Sequence, residues 1–164
     1  MPRSIRPAET GDAVRISEIY AQSIAARDAT MDTEGPGASD IAQQIQDLGT
    51  REYLGVIEHR GAVVGWGILK RYHPRPGYAR AGETSVYIDR SHTGQGHGSA
   101  LQTELISLAR SLDYHHLVAK IWASNDGSIR MHQRFGYEIV GTQREIGFVD
   151  GVYRDVTILQ LILD

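Results

Sequence analysis

Between residues 91 and 99 the chain reads Ser-His-Thr-Gly-Gln-Gly-His-Gly-Ser, with Gly94, Gly96 and Gly98 at every second position. Such a turn, set between a strand-like run and a helix-like run, can aim several backbone N–H groups at one phosphate. Glycine permits close approach and positive φ, and a helix N-terminus adds partial positive charge. A nucleoside-triphosphate loop needs Lys and then Ser or Thr after its last glycine, whereas Ser99 and Ala100 follow Gly98. A dinucleotide fingerprint needs G-x-G-x-x-G and an acidic residue closing the next strand, whereas that strand ends in Lys120-Ile121-Trp122. The three glycines alone also suit a turn without a ligand. Upstream, Glu83 begins a run that continues Thr-Ser-Val-Tyr-Ile, and a carboxylate there must be hydrated, paired or functional. Asn125 stands where it can cap a helix or hold a ligand, and His132, seven residues on, shares its face. His115 and His116 are adjacent and point to opposite faces of a strand. With no His-Glu-x-x-His pattern, no metal site is expected.

These residues need elements to position them. A short strand at Ser4–Arg6 comes first, then a helix that Asp12 is expected to cap, with Ile16, Ile19, Tyr20, Ser23 and Ile24 on one face. Residues 33–39 form a loop, and Ser39 is expected to cap a second helix through Ile41, Ile45 and Leu48. Tyr53–Glu58 and Ala62–Lys70 read as a hairpin turning at Arg60-Gly61. Residues 71–82 form a basic, proline-bearing loop offering Arg71, His73, Arg75 and Arg80, either as a surface connection or as a lip over a site. The strand Glu83–Ile88 leads into the glycine turn. Leu101, Leu105, Leu108 and Leu112 then mark a helix, His116–Trp122 a strand, and Asn125–Phe135 a short helix closed by Gly136. Tyr137–Arg144 and Tyr153–Leu163 pair across Asp150-Gly151. The sum is one mixed α/β domain over residues 1–164, mostly antiparallel, with the glycine turn and its helix bridging two central strands.

Composition restricts the function classes. The 164 residues are 41% hydrophobic and 23% charged, with a formal net charge of -3, so nothing draws the chain globally toward nucleic acid or an anionic membrane. The absence of cysteine excludes a thiolate metal site and a cysteine nucleophile. The opening residues lack the apolar stretch of a signal peptide, which makes a cytoplasmic location the expectation.

Gly94-Gln95-Gly96-His97-Gly98-Ser99, preceded by Ser85-Val86-Tyr87-Ile88, resembles the acetyl-CoA pyrophosphate loop of the GNAT superfamily of N-acetyltransferases. The segment Asn125-Asp126-Gly127-Ser128 through His132 to Phe135-Gly136-Tyr137 is similar to the family's asparagine-bearing helix. Glu83-Thr84-Ser85-Val86-Tyr87, the Ser128 and His132 helix, and the closing Gly147, Gly151, Asp155-Val156 and Gln160 look like phosphinothricin and methionine sulfoximine N-acetyltransferases. Ile5-Arg6-Pro7-Ala8, Ile19-Tyr20 and Thr33-Glu34 extend the likeness nearly end to end. Two positions depart from the family pattern. Thr93 stands where Gln or Arg is usual, and His97 stands between the last two glycines where an aliphatic residue is usual.

The resemblance implies a sheet splayed between strands 4 and 5 and acetyl-CoA as co-substrate. It implies Glu83 as the base that takes the amine proton, and His132 as a group that protonates the leaving thiolate or orients substrate. Val86, Tyr87 and Ile88 would offer backbone groups to the pantetheine arm and acetyl carbonyl. Gly94, Gln95, Gly96, His97, Gly98 and Ser99 would hold the phosphates, with Asn125 and Ser128 on the helix beyond. Tyr72, His73, Arg75, Tyr78, Thr84 and Ser85 would form the acceptor site, and the chain would form a homodimer. The acceptor implied is a small amino-acid-type amine. A protein N-terminus or lysine, and a domain that binds acyl-CoA without turnover, are the other readings.

Overall fold

The central sheet comes apart one residue after Glu83, and the rest of the fold is arranged about that opening. The structure, a computed structural model, describes residues 2–164. Seven strands run β1 (Arg3–Pro7), β2 (Tyr53–His59), β3 (Ala62–Arg71), β4 (Ala81–Ile88), β5 (His116–Trp122), β6 (Glu138–Val149) and β7 (Val152–Ile162). Their order across the sheet is β1-β2-β3-β4-β5-β7-β6, antiparallel except between β4 and β5. That one parallel pair is short: Ala81, Gly82 and Glu83 face His116, Leu117 and Val118, and no pairing follows. A parallel connection needs a crossover, supplied here by α3 (His97–Ser111). The mixed sheet, split between strands 4 and 5 and flanked by helices, is the architecture expected from the sequence.

Alternation along each strand divides the side chains between two layers. Gly67, Leu69 and Val86 face α3, where Leu101 and Leu105 are wholly buried beside Leu117 and Leu159. Trp66, Ile68 and Tyr87 face the opposite layer, α1 (Ala13–Ala26) and α2 (Ala38–Gln46), packing on Ile16, Ile19, Tyr20 and Ile41. The turns match their sequence signals: Arg60-Gly61 and Asp150-Gly151 each have positive φ at both residues, as tight hairpins require.

Three local expectations need correction. Asp12 precedes α1 but does not cap it; its carboxylate accepts the Glu9 N–H and pairs with Arg6, which also holds Glu58. The second helix starts at Ala38 with Gly37 in the cap position, so Ser39 lies inside it. Asp40, three residues into the turn, reaches back to accept the Gly37 N–H, so the helix is closed from Gly37 rather than from Ser39. The last hairpin is longer than its apolar pattern indicates, because β6 continues to Val149 through two irregularities in register.

Candidate active site

Past Glu83 the facing edges of β4 and β5 make no ladder to each other, and a cleft of about 610 Å³ occupies the gap. Its walls are Thr84–Ile88 on one side and Ala119–Trp122 on the other, so it runs through the sheet from the α3 layer to the α1 layer. The glycine turn closes one end. Gly94 and Gly96 have φ of 73° and 82°, a region that a Cβ disfavours, and α3 starts immediately after them. A Cβ on Gly96 would also lie 3.1 Å from Nη1 of Arg3, whose guanidinium donates to the Gln95 carbonyl and holds the turn from outside. Gly94, Gly96, Gly98 and Ser99 line the cleft, whereas Gln95 does not.

His97 also lies beside the cleft, but the residue is only 2% exposed. Its ring lies 5.2 Å from that of His59 and 6.4 Å from that of His92, with both nitrogens buried and unpartnered. What His97 offers a phosphate is therefore its backbone N–H rather than its imidazole. Burial, with Arg3 and the two neighbouring histidines, pushes the His97 pKa below the usual histidine value.

On the α4 wall (Asp126–Arg134), Asn125 is the helix cap: its carboxamide oxygen accepts the Ser128 N–H at 3.2 Å, and its Nδ2 donates to the Asp28 carbonyl. His132 shares that wall. The Ser128 carbonyl, 2.7 Å from Nδ1, can only accept, so Nδ1 carries the proton and Nε2 keeps a lone pair. Burial depresses the His132 pKa, leaving a neutral ring at pH 7. A neutral imidazole with a free Nε2 lone pair accepts a hydrogen bond; it is not set up to donate a proton to a thiolate, and orientation is the role its geometry suits. Behind it the Tyr137 ring lies edge-on at 5.0 Å. Tyr137 places its hydroxyl 2.9 Å from Nε2 of Gln102, which donates to it, and 3.1 Å from Oγ1 of Thr84, a trio that sequence reasoning missed.

Thr84 lines the cleft too, but the residue is 3% exposed and its hydroxyl is tied to Tyr137, in the layer opposite Glu83 and Ser85. Alternation along the strand lets the Glu83 and Ser85 side chains share a face that the Thr84 side chain does not. Tyr87 shares the Glu83 face and stacks on Trp66 at 4.7 Å.

Glu83 is on the last β4–β5 rung, next to but not among the residues that line the cleft, its side chain 15% exposed, with Lys70 Nζ at 3.8 Å and Lys120 Nζ at 3.5 Å. Neither lysine stood out in the sequence as a site residue. Lys120 carried a signal, as a charge inside the apolar run Leu-Val-Ala-Lys-Ile-Trp; Lys70 needed the strand register, which sets it directly across from Glu83. Of the basic loop, Tyr72, His73 and Tyr78 form an exposed ring cluster off the cleft, and the Arg75 N–H donates to Nδ1 of His73. The loop reaches Glu83 only through Lys120, whose ammonium lies 5.5 Å over the Tyr72 ring. Among the described residues no cluster of histidines and carboxylates is arranged to hold a metal ion, and no helix is long and apolar enough to cross a membrane.

The same arrangement recurs in known proteins. A family model described as acetyltransferase (GNAT) family matches residues 21–137. An L-methionine sulfoximine/L-methionine sulfone acetyltransferase of Salmonella typhimurium is 34% identical over 98% of this chain and 95% of its own. A phosphinothricin N-acetyltransferase of Streptomyces coelicolor is 30% identical, covering 93% and 91%. A solved phosphinothricin acetyltransferase of Sinorhizobium meliloti, in complex with acetyl-CoA, superposes with a TM-score of 0.93 at 28% identity, covering 99% of this chain and 89% of its own. With a sheet that opens after Glu83, a glycine turn leading into α3 and relatives matched end to end, the chain belongs to the GNAT family of acetyltransferases.

Proposed function

We propose that this protein is an acetyl-CoA-dependent N-acetyltransferase that acts by direct transfer on the amine of a small amino-acid-type acceptor, of the phosphinothricin or methionine sulfoximine kind. The observation that carries this reading is the cleft between β4 and β5, with a phosphate-type turn at one end and, on the last paired rung just beyond the other, Glu83. The residues present fit the cofactor. The N–H groups of the turn at Gly94, Gly96 and Gly98, backed by the α3 N-terminus, suit a pyrophosphate. The unpaired edge of Val86, Tyr87 and Ile88 suits the amides of a pantetheine arm and can donate to the acetyl oxygen as charge develops there. Ser128 and the capped end of α4 face the same cleft, and Asn125 does so while holding its cap.

When bound, the thioester supplies an acetyl group activated toward amines. Glu83 takes the proton that the acceptor ammonium must lose before it has a lone pair, directly or through one water. His132 accepts a hydrogen bond at Nε2, and Ser85 lies on the Glu83 face beside it. Tyr72, His73, Arg75 and Tyr78 form the outer lip and contact the acceptor only when the loop closes. Transfer needs no covalent enzyme intermediate, consistent with a site that lacks cysteine.

We also place the protein in the cytoplasm, as a homodimer that uses β6 and β7. These strands leave Ile139, Val140, Ile146, Phe148, Val152 and Tyr153 exposed along one edge of the sheet, a surface more apolar than a lone protomer needs. Sedimentation of wild type and Phe148→Glu tests this; a monomeric wild type at micromolar concentration would refute it.

The central test follows thiol release from acetyl-CoA with a panel of amino acids, comparing wild type and Glu83→Gln. The expectation is a loss of about 10²- to 10⁴-fold in kcat with cofactor binding retained. Equal turnover by the two proteins would remove Glu83 from its role. Peptides acetylated in preference to free amino acids would favour the protein-substrate reading instead.

A further inference from the structure

Of the seventeen basic residues in the chain only two are lysines, Lys70 and Lys120, and both converge on Glu83. Arginine meets every other need for positive charge. Lysine is the compact, rotatable point charge with three donors, where arginine would present a broad planar fork. Both ammoniums lie on the sheet face that carries Ser85 and Tyr87, the side from which an acceptor reaches Glu83. At 3.8 and 3.5 Å from the carboxylate, neither is at the roughly 2.7–2.9 Å of a charge-assisted hydrogen bond. Their side chains are 48% and 47% exposed while that of Glu83 is 15% exposed, so both ammoniums remain accessible, that of Lys120 from a residue lining the cleft.

The cluster therefore carries two positive charges against one negative. Of the nearby acids, Asp28 is paired with Arg90, while Asp32 keeps its charge as it accepts from the Tyr20 hydroxyl but makes no ion pair with either lysine. Arg154, over the Trp122 ring at 5.4 Å, adds a further cation on the same side. An acceptor bringing only an ammonium would be repelled there. One bringing two anions, an α-carboxylate and an acidic side chain, would neutralise the excess.

We propose that Lys70 and Lys120 are specificity-determining residues that select α-amino acids with an anionic side chain (a phosphinate, phosphonate or carboxylate) over neutral sulfones of the same length. The inference rests on the transferase reading above and goes beyond it by choosing between its two acceptor kinds.

The test measures steady-state kinetics with phosphinothricin and with methionine sulfone for wild type, Lys70→Met, Lys120→Met and Lys120→Arg, with thermal melts to verify folding. Wild type should favour phosphinothricin. Each Met variant should lose about tenfold in kcat/KM for phosphinothricin, mainly through KM, and less than threefold for the sulfone. Lys120→Arg, which keeps the charge but not the compact ammonium, should recover only part of that loss. Wild-type KM for phosphinothricin should rise more steeply with salt than KM for the sulfone. Equal losses on both acceptors would mean that the lysines serve only Glu83 or the shared α-carboxylate, and would overturn the proposal. Unchanged kinetics in both Met variants would overturn it equally. Turnover of the sulfone without any charge preference leaves the transferase reading standing while this one falls; no turnover of any amino acid refutes both.

Discussion

Replacing His97 with leucine should stabilise the protein, by an amount that depends on pH. The ring is buried against His59 and His92 with neither nitrogen partnered, so a neutral imidazole leaves one donor and one acceptor unsatisfied. Each such group costs about 1–3 kcal/mol, and an imperfect fit of the branched side chain takes back about 1 kcal/mol. For two such groups the net gain at pH 8 is about 1–5 kcal/mol, or a Tm rise of at least about 2 °C for a chain of this length. Acid adds a second contribution. The folded pKa of His97 is depressed, so between that value and the unfolded value near 6.5 the unfolded chain binds more protons, and stability falls as pH falls. His97→Leu removes that slope, so its advantage should be larger at pH 5.5 than at pH 8. Melting by circular dichroism at both pH values, with and without acetyl-CoA, measures all of this. Cofactor affinity should stay within about threefold, since the backbone N–H is unchanged. A variant that is destabilised, or whose gain is the same at both pH values, would refute the account. A tenfold loss of cofactor affinity would show that the ring itself reaches the phosphates.

Other outcomes follow from the same geometry. Tyr137→Phe strands the Gln102 amide and the Thr84 hydroxyl in the core and should cost about 1–3 kcal/mol in urea titration, with no new acid or base limb in the rate profile. Gly96→Ala forces a Cβ into a backbone with φ of 82° and against Arg3, and should weaken acetyl-CoA binding about tenfold by calorimetry while Gly127→Ala, with nothing nearer than 3.9 Å, does not. Burial holds the His132 pKa below the ordinary histidine value, so the part of kcat/KM that depends on its Nε2 should be lost at lower pH than for a free histidine. His132→Asn should abolish that acid limb, as a pH profile against wild type will show.

Sequence and structure agree where chemistry is local in the chain. The glycine turn, the hairpin turns at Arg60-Gly61 and Asp150-Gly151, the strand His116–Trp122 and the helix ending before Gly136 all carry their signals within a few residues. The side of the sheet that Thr84 serves was also available from alternation, once Glu83 was placed opposite it. What was not legible depends on register between distant strands. Lys70 meets Glu83 because β3 and β4 pair at that rung, and Lys120 arrives from β5, thirty-seven residues on in the chain. Capping failed at Ser39 for a related reason: the chain turns helical at Ala38, before the serine could cap, and Asp40 accepts the Gly37 N–H from inside the first turn. The neutrality of His132 likewise turns on a carbonyl one helical turn away and on burial that no spacing pattern records.

The short β4–β5 pairing has a mechanical consequence. Three rungs at one end make the two parts of the sheet resemble the arms of a clothes-peg, with Ala81–Glu83 and His116–Val118 as the joint. At that joint Gly82 is pressed by Leu69 and Tyr114, each 3.1 Å from where its Cβ would lie, and Tyr114 is pinned by its hydroxyl to the Arg51 carbonyl at 2.8 Å. A methyl group at position 82 would act as a wedge about 20 Å from the glycine turn, by the rise of a strand over six residues. How far the jaws stand apart is thus governed by side chains that no ligand touches.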